Sequence, residues 1–344
     1  MPNNMAEALN KAMTNIEEAL GMTVDQYVVE KLGYASIEEM YGDAKVGLMG
    51  LQVDTIAAAI YNFEEKGKGI IIADQTGVGK GRQAAGILRY AKRQGKTPIF
   101  ATVDSNLYTD MFDDLNEIGE KENTPFLIDR KVGIKSKYGT VARLKEGERA
   151  SKIQEILETG RLPEGNDMLF MTYHQIKTAN QQREVIRALK DNAIFVLDES
   201  HNVSGVRETV KKVDGVNQTV VSAAGFMYEM IEDQPVVYLS ATFAKRAENM
   251  AIYYRTDLMD AVDTPQELID AVERGGVPVQ QVMAAMLTES GQLFRRERSF
   301  EGISINKVID YDHGEQHRDQ ADQVTDGLRA IIDADKTFDG VFFP

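Results

Sequence analysis

Hydrophobic positions along this chain follow two different periods. Through the first 45 residues Ala8, Leu9, Met13, Ile16 and Leu20 recur at helical spacing, which predicts short amphipathic helices. Another helix is predicted from Leu51 to Phe63. From Gly69 onward the pattern becomes a series of short, almost continuous apolar runs: Gly69–Asp74, Pro98–Val103, Met168–Thr172, Ala193–Asp198 and Val236–Ser240. Each ends in a polar turn, and most are followed by a helix-compatible stretch. Runs this apolar suit strands buried on both faces, so the alternation predicts a mostly parallel sheet between helices, an α/β fold. Beyond Asp260 helical spacing returns. Thr264 is a suitable N-cap, Pro265 suits the first turn and Glu267 would complete a capping box. Gly275-Gly276 is expected to stop that helix, and a second is expected from Pro278 to Glu289. Ser304–Tyr311 alternates like a strand, Glu315–Asp333 like a helix, and Gly340–Pro344 reads as the start of another strand.

Composition changes this picture in three ways. The 344 residues are 43% hydrophobic, enough for a real core. Lys and Arg total 39 against 54 Asp and Glu, a net charge of -15, which excludes a small, uniformly basic nucleic-acid binder. With no Cys and four His, disulfides, thiolate metal sites and a Cys nucleophile are excluded and a His-based metal cage is disfavoured. The polar N-terminus lacks the basic start and apolar run of a signal peptide, and no apolar stretch is long enough to span a bilayer, so the expected location is the cytoplasm. The charge is unevenly placed. Excess acid sits in residues 1–45 and 301–344, whereas two basic islands lie between. One holds Lys80, Arg82, Arg89, Lys92, Arg93 and Lys96; the other runs from Arg130 to Lys152. The acidity therefore leaves open a narrow nucleic-acid track where these islands face it.

The strongest chemical signal is Asp74-Gln-Thr-Gly-Val-Gly-Lys-Gly81, which follows an apolar strand and opens a helix. Gly77 and Gly79 let the backbone turn sharply and approach an anion, successive N–H groups face it, and Lys80 would reach the β- and γ-phosphates. Gly81 departs from the usual pattern, because Ser or Thr there would offer a hydroxyl to Mg²⁺; Thr76 is one candidate replacement. The second signal is Ala193–Asp198 followed by Glu199, Ser200 and His201. In a parallel sheet ligands gather at the carboxyl ends of the strands, where the glycine loop also sits. Asp198 is suited to hold the water shell of Mg²⁺, and Glu199 to take a proton from an attacking water. The third, Val236–Leu239 ending in Ser240-Ala-Thr242, gains meaning only behind the other two.

Taken in order, these three motifs resemble those of superfamily 2 helicases. Within them the chain is most similar to the strawberry notch family, whose bacteriophage members include helicase-like proteins, some linked to antirestriction. The subfamily likeness rests on Gly77–Arg82 with Gly after the Lys, on Asp104–Gly119 ending Asp-Leu-Asn-Glu-Ile-Gly, on Phe170–Tyr173, and on Gly275-Gly-Val277 followed by Arg298-Ser-Phe-Glu-Gly302. It runs from residue 48 to 310. It implies a RecA-like lobe that binds ATP and Mg²⁺ through Thr76, Gly77, Val78, Gly79, Lys80, Gly81 and Arg82, with Asp198 on the metal through water and Glu199 as catalytic base. It implies that His201, Ser240 and Thr242 couple the nucleotide state to nucleic acid, expected to be DNA. Gln52 would contact adenine, and Ser105, Asn106, Thr172 and Tyr173 would contact the nucleic-acid backbone.

The resulting division is a helical extension at 1–47, an ATP-binding lobe at 48–258, and at 259–344 a helical linker with the start of a truncated second lobe. A helicase of this class needs that second lobe for its arginine finger. No later Gln-x-x-Gly-Arg motif is present, and Arg295, Arg296 and Arg298 read as a solvated linker cluster. The expected activity is weak ATP hydrolysis driving movement on DNA. Two alternatives stand beside unwinding: translocation on duplex DNA, and a nucleotide-binding interaction module with phage or host protein partners, in an antirestriction or virion-associated assembly. A kinase or small GTPase is disfavoured because the hydroxyl after Lys80 is missing.

Overall fold

The computed structural model describes residues 3–43, 46–129, 131–205, 207–213, 216–241, 247–296, 318–319 and 322–326. The chain divides into a large unit, Met1–Arg298, and a small one, Ser299–Pro344. In the small unit the described residues, 318–319 and 322–326, are helical; the strands expected at Ser304–Tyr311 and Gly340–Pro344 lie outside the described residues.

The large unit begins with α1 (Asn3–Leu20), α2 (Val24–Leu32) and α3 (Ile37–Tyr41). Thr23 shows why α2 starts where it does. Its hydroxyl accepts the Gln26 N–H while the Gln26 side chain accepts the Thr23 N–H, so two orphan donors are satisfied together. Then come α4 (Gly50–Tyr61), β1 (Ile70–Ile72), α5 (Lys80–Arg93), β2 (Thr97–Thr102), α6 (Leu107–Glu117) and β3 (Pro125–Leu127). A hairpin of β4 (Ile134–Ser136) and β5 (Gly139–Val141) precedes α7 (Glu146–Thr159), β6 (Met168–Thr172), α8 (Gln181–Leu189) and β7 (Ala193–Asp198). A second antiparallel hairpin, β8 (Glu208–Val213) and β9 (Val216–Val221), leads to α9 (Ala223–Ile231), β10 (Val236–Leu239), α10 (Pro265–Glu289) and β11 (Leu293–Phe294).

Seven strands form one sheet in the order β11-β1-β10-β7-β2-β6-β3, and every pairing is parallel. This is the RecA-like α/β lobe expected from the sequence. Successive residues of a strand point to opposite faces. Ile71, Ile99, Phe195 and Tyr238 pack with α7, α8, α9 and α10, whereas Ile70, Ile72, Phe100, Val196 and Val237 pack with α1, α2, α4, α5 and α6. Both faces are dry, which is why the strands read as unbroken apolar runs. The N-terminal helices share the second of these cores through Leu9, Ile16, Val28 and Leu32.

One local expectation changes and one holds. Thr264 caps α10 by accepting the Glu267 N–H at 3.2 Å, but the Glu267 carboxylate accepts from Asp263, one residue early, so the box is not closed. The glycine pair acts as expected: Gly276, with φ 57 and ψ -145, breaks helical geometry, so Pro265–Glu289 is two helical segments that meet at a sharp kink, the second starting around Pro278.

Candidate nucleotide-binding site

Because all seven strands are parallel, the segments after β1, β2, β3, β6, β7 and β10 emerge at one edge of the sheet. The glycine loop leaves β1 there and becomes α5. Gly77 and Gly79 take φ 92 and 94, a left-handed conformation that costs other residues about 1–2 kcal/mol. Gly79 also has no room for a side chain, since a Cβ would overlap Nε2 of Gln52. Gln52 is fully buried on α4; its Nε2 donates to the carbonyls of Val78 (3.5 Å) and Gly79 (3.3 Å), and its Oε1 accepts the Met49 N–H. The glutamine thus props the loop from beneath. Lys80 Nζ donates to the Asp74 carbonyl at 2.7 Å. Thr76 and Gly77 are exposed at the loop tip, Val78 is buried, and Arg82 turns away to the Gly47 carbonyl (3.0 Å) and the Glu117 carboxylate (2.6 Å).

β7 delivers the acids. Asp198 Oδ2 accepts the Thr102 hydroxyl at 2.8 Å, and burial, with Glu199 beside it, raises its carboxyl above the ordinary value although Thr102 and Lys80 oppose this. Glu199 has φ 47, the one non-glycine residue with positive φ among the described residues. The turn aims its carboxylate at His201 Nδ1, 3.3 Å away. The same nitrogen lies 3.0 Å from Oγ of Ser240, whose N–H donates to the Ile72 carbonyl of β1. A continuous polar chain therefore joins the ends of β7, β10 and β1. Thr242 lies outside the described residues.

Of the four residues expected on nucleic acid, Asn106 is exposed and Ser105 partly so, on the loop after β2. Thr172 and Tyr173 are each 5% exposed, and the Tyr173 hydroxyl donates to the Asp198 carbonyl at 2.7 Å.

The structure corrects two sequence expectations. Arg296 is not a solvated linker residue. It is 7% exposed just beyond β11, and its guanidinium donates to both oxygens of fully buried Asp74 (Nε 3.0 Å, NH2 2.5 Å), to the Thr55 hydroxyl (2.6 Å) and to the Leu51 carbonyl. Its backbone accepts the Gln75 N–H at 2.9 Å. Residue 296 thereby clamps the root of the glycine loop, a role its sequence neighbours Arg295 and Arg298 disguised. Nor does the first basic island form a track. Arg89 is buried against the Leu32 and Ile118 carbonyls, Lys92 pairs with Glu120 and Asp167, both at 2.7 Å, and Arg93 and Lys96 lie at the far end of α5, about 20 Å along the helix from the loop.

Asp114 was also hidden. It belongs to the Asp-Leu-Asn-Glu-Ile-Gly segment of α6, where burial, with Glu117 beside it, pushes its carboxyl up to about 7. A Cβ on Gly81 would overlap Asp114 Oδ2. The signal available in the sequence was the missing hydroxyl itself.

A metal nucleotide fits these residues. The glycine-rich turn opens onto the N-terminus of α5 beside Lys80, and Asp198 offers a partly buried carboxylate that accepts the Thr102 hydroxyl. No helix among the described residues is long and apolar enough to cross a membrane.

Comparison with known proteins agrees with this geometry. Over 254 residues the chain is 26% identical to protein strawberry notch of Drosophila melanogaster, covering 69% of the chain and 14% of that protein. It is 27% identical over 283 residues to strawberry notch homolog 1 of Homo sapiens, covering 75% and 18%. The chain therefore spans less than a fifth of the length of either relative. Among solved structures, the Sulfolobus solfataricus SWI2/SNF2 ATPase core in complex with dsDNA overlays with a TM-score of 0.45 at 14% identity, covering 74% of this chain and 45% of that one. The family model for the P-loop containing NTP hydrolase pore-1 matches residues 28–321. With most of its length matched, and with the glycine loop and the paired acids on one sheet edge, the chain belongs to the P-loop containing NTP hydrolase pore-1 family.

Proposed function

We propose that this chain is the ATP-binding lobe of a strawberry notch-type motor that hydrolyses ATP to move on DNA. The observation that carries the reading is the convergence of Lys80, Asp198, Glu199, His201 and Ser240 at one sheet edge, with Lys80 and Asp198 facing each other electrostatically. Asp198 would hold Mg²⁺ through its water shell, and the metal would supply positive charge against the phosphates. Lys80 would exchange the Asp74 carbonyl for a phosphate oxygen, and Glu199 would accept the proton of the attacking water. His201 and Ser240 carry any shift of Glu199 to the end of β10. Ser105 and Asn106 offer polar groups to a phosphodiester backbone, whereas Thr172 and Tyr173 support that surface from within. A second lobe, beyond this chain, would supply the arginine that stabilises the transition state.

The test is ATP turnover by the purified chain with and without DNA. Slow hydrolysis is expected, falling about 10²–10⁴-fold in Glu199→Gln with nucleotide binding retained. Equal turnover by Glu199→Gln would refute the assignment of the base and favour a binding module. Strong DNA-stimulated turnover by this chain alone would show that no second lobe is needed.

A further inference from the structure

Position 81 poses a problem that the nucleotide reading leaves open. A loop of this type normally follows its lysine with a hydroxyl residue that faces the metal; here the residue is glycine. The geometry shows which group takes the vacated place. A Cβ built on Gly81 would overlap Oδ2 of Asp114 and lie 2.8 Å from its Cγ, so the carboxylate occupies the volume of the side chain that Gly81 lacks. Any residue but glycine would expel it. Asp114 reaches this position from α6, which packs along α5. Among the described residues no group donates a hydrogen bond to its carboxylate. The charged groups around it are Glu117, Arg82, Asp110 and Asp113. The one base in that set, Arg82, is directed at Glu117 and the Gly47 carbonyl. A partly buried carboxylate with acidic neighbours thus stands against the first turn of the helix that opens the phosphate site.

We propose that Asp114 is the metal-facing oxygen of this nucleotide site: its carboxylate, supplied from α6, replaces the hydroxyl absent at Gly81 and ligates the Mg²⁺ that accompanies bound nucleotide. The assignment rests on the metal-nucleotide reading above. Carboxylate oxygen is a favoured donor for a hard cation. Exchanging a neutral hydroxyl for a carboxylate has a further consequence. Without metal, the negative charge repels the phosphates; with metal, it holds them. Nucleotide affinity in this chain should therefore depend on Mg²⁺ more steeply than a hydroxyl ligand would require. A carboxylate that merely filled space would give no such dependence.

The experiment titrates the full 344-residue chain with a fluorescent N-methylanthraniloyl-ADP, once in Mg²⁺ and once in EDTA, and compares the two affinities. Asp114→Asn keeps the volume and removes the charge. It should cut the Mg²⁺/EDTA affinity ratio by about tenfold or more, weakening binding in Mg²⁺ while leaving EDTA binding equal or tighter. Gly81→Ser alone should lose nucleotide because the new side chain meets Asp114. The double variant Asp114→Ala/Gly81→Ser returns an oxygen from the usual position and should restore much of the ratio, which a structural defect at α6 would not allow. A wild-type ratio in Asp114→Asn overturns the assignment while leaving the nucleotide reading intact. A wild-type chain that binds nucleotide in neither condition overturns both.

Discussion

Glu199 combines two demands that oppose each other. Its carboxylate must project from the end of β7 toward the site, and the turn that achieves this holds its backbone at φ 47, ψ 47. For an L-residue the left-handed region costs about 1–2 kcal/mol, and such strain gathers where function over-determines the backbone. The fold compensates by anchoring both sides of the turn: the Asp198 carbonyl accepts from Tyr173, and the Glu199 carbonyl accepts from Asn202. This permits a comparison that separates strain from chemistry. Glu199→Ala and Glu199→Gly both delete the proposed base, so both should be inactive. Glu199→Gly should nevertheless be the more stable by about 1 kcal/mol, because glycine adopts this φ without penalty. Denaturant titration of the two variants measures it; a more stable alanine variant would show that the turn is not strained. Gly81 and Asp114 form the complementary case, in which a glycine is required by the neighbour that fills its place and not by its own φ.

At the scale of elements, the short strand β11 matters most. It pairs with β1 through Leu293 and Phe294 at the sheet edge and delivers Arg296 onto Asp74. Asp74 is simultaneously held by Gln83 Nε2 of α5 at 2.9 Å. Four elements therefore meet on one ion pair: β1 and α5 at the Asp74 carboxylate, α4 through Leu51 and Thr55 at the Arg296 guanidinium, and the segment after β11 that carries Arg296. With side chains only 9% and 0% exposed, this ion pair is interior, so removing one partner strands a buried charge. Arg296→Ala should destabilise the chain by about 3–5 kcal/mol, visible as a large fall in denaturation midpoint, and nucleotide affinity should fall with it because the loop root is freed. Replacing Arg296 and Asp74 together by Met and Leu should recover much of the stability. If the single variant melts like wild type, the clamp contributes nothing. None of this was legible from Leu-Phe-Arg-Arg in the sequence. Two apolar residues carry no periodicity, and the partner that buries Arg296 lies 222 positions away.

At the scale of the molecule, the excess acid of the termini and the basic centre remain a fact of the sequence, but folding sorts the bases differently from their spacing. In the island on α5, Arg89 is buried and Lys92 is paired, whereas Arg93 and Lys96 are exposed at the end away from the glycine loop. The second island keeps Lys131, Lys135, Arg143 and Lys145 exposed on and around the β4–β5 hairpin. That hairpin follows β3, and the site edge is tied across there by Gln175 donating to Asp129 at 3.0 Å. On the proposed reading that nucleic acid lies against Ser105 and Asn106, these exposed bases are the cations available to it. Neutralising all four should weaken DNA binding and flatten its salt dependence by about one log unit per log of salt for each phosphate left without a protein cation. Lys92→Ala should leave that slope unchanged. Equal slopes for wild type and the fourfold variant would exclude this surface.

The α/β lobe and its strand runs, the glycine loop and the paired acids were legible in the sequence because each is written locally. Two dry sheet faces demand apolar strands, the turn from β1 into α5 demands glycine at positive φ, and the paired acids simply continue the β7 run. The hairpins, the edge strand, the Arg296 clamp, the propping role of Gln52 and the carboxylate at Gly81 were decided only by the tertiary structure. Each brings together segments far apart in sequence or depends on where such segments pack. A residue's burial, and the neighbour that balances its charge, exist only once those segments meet.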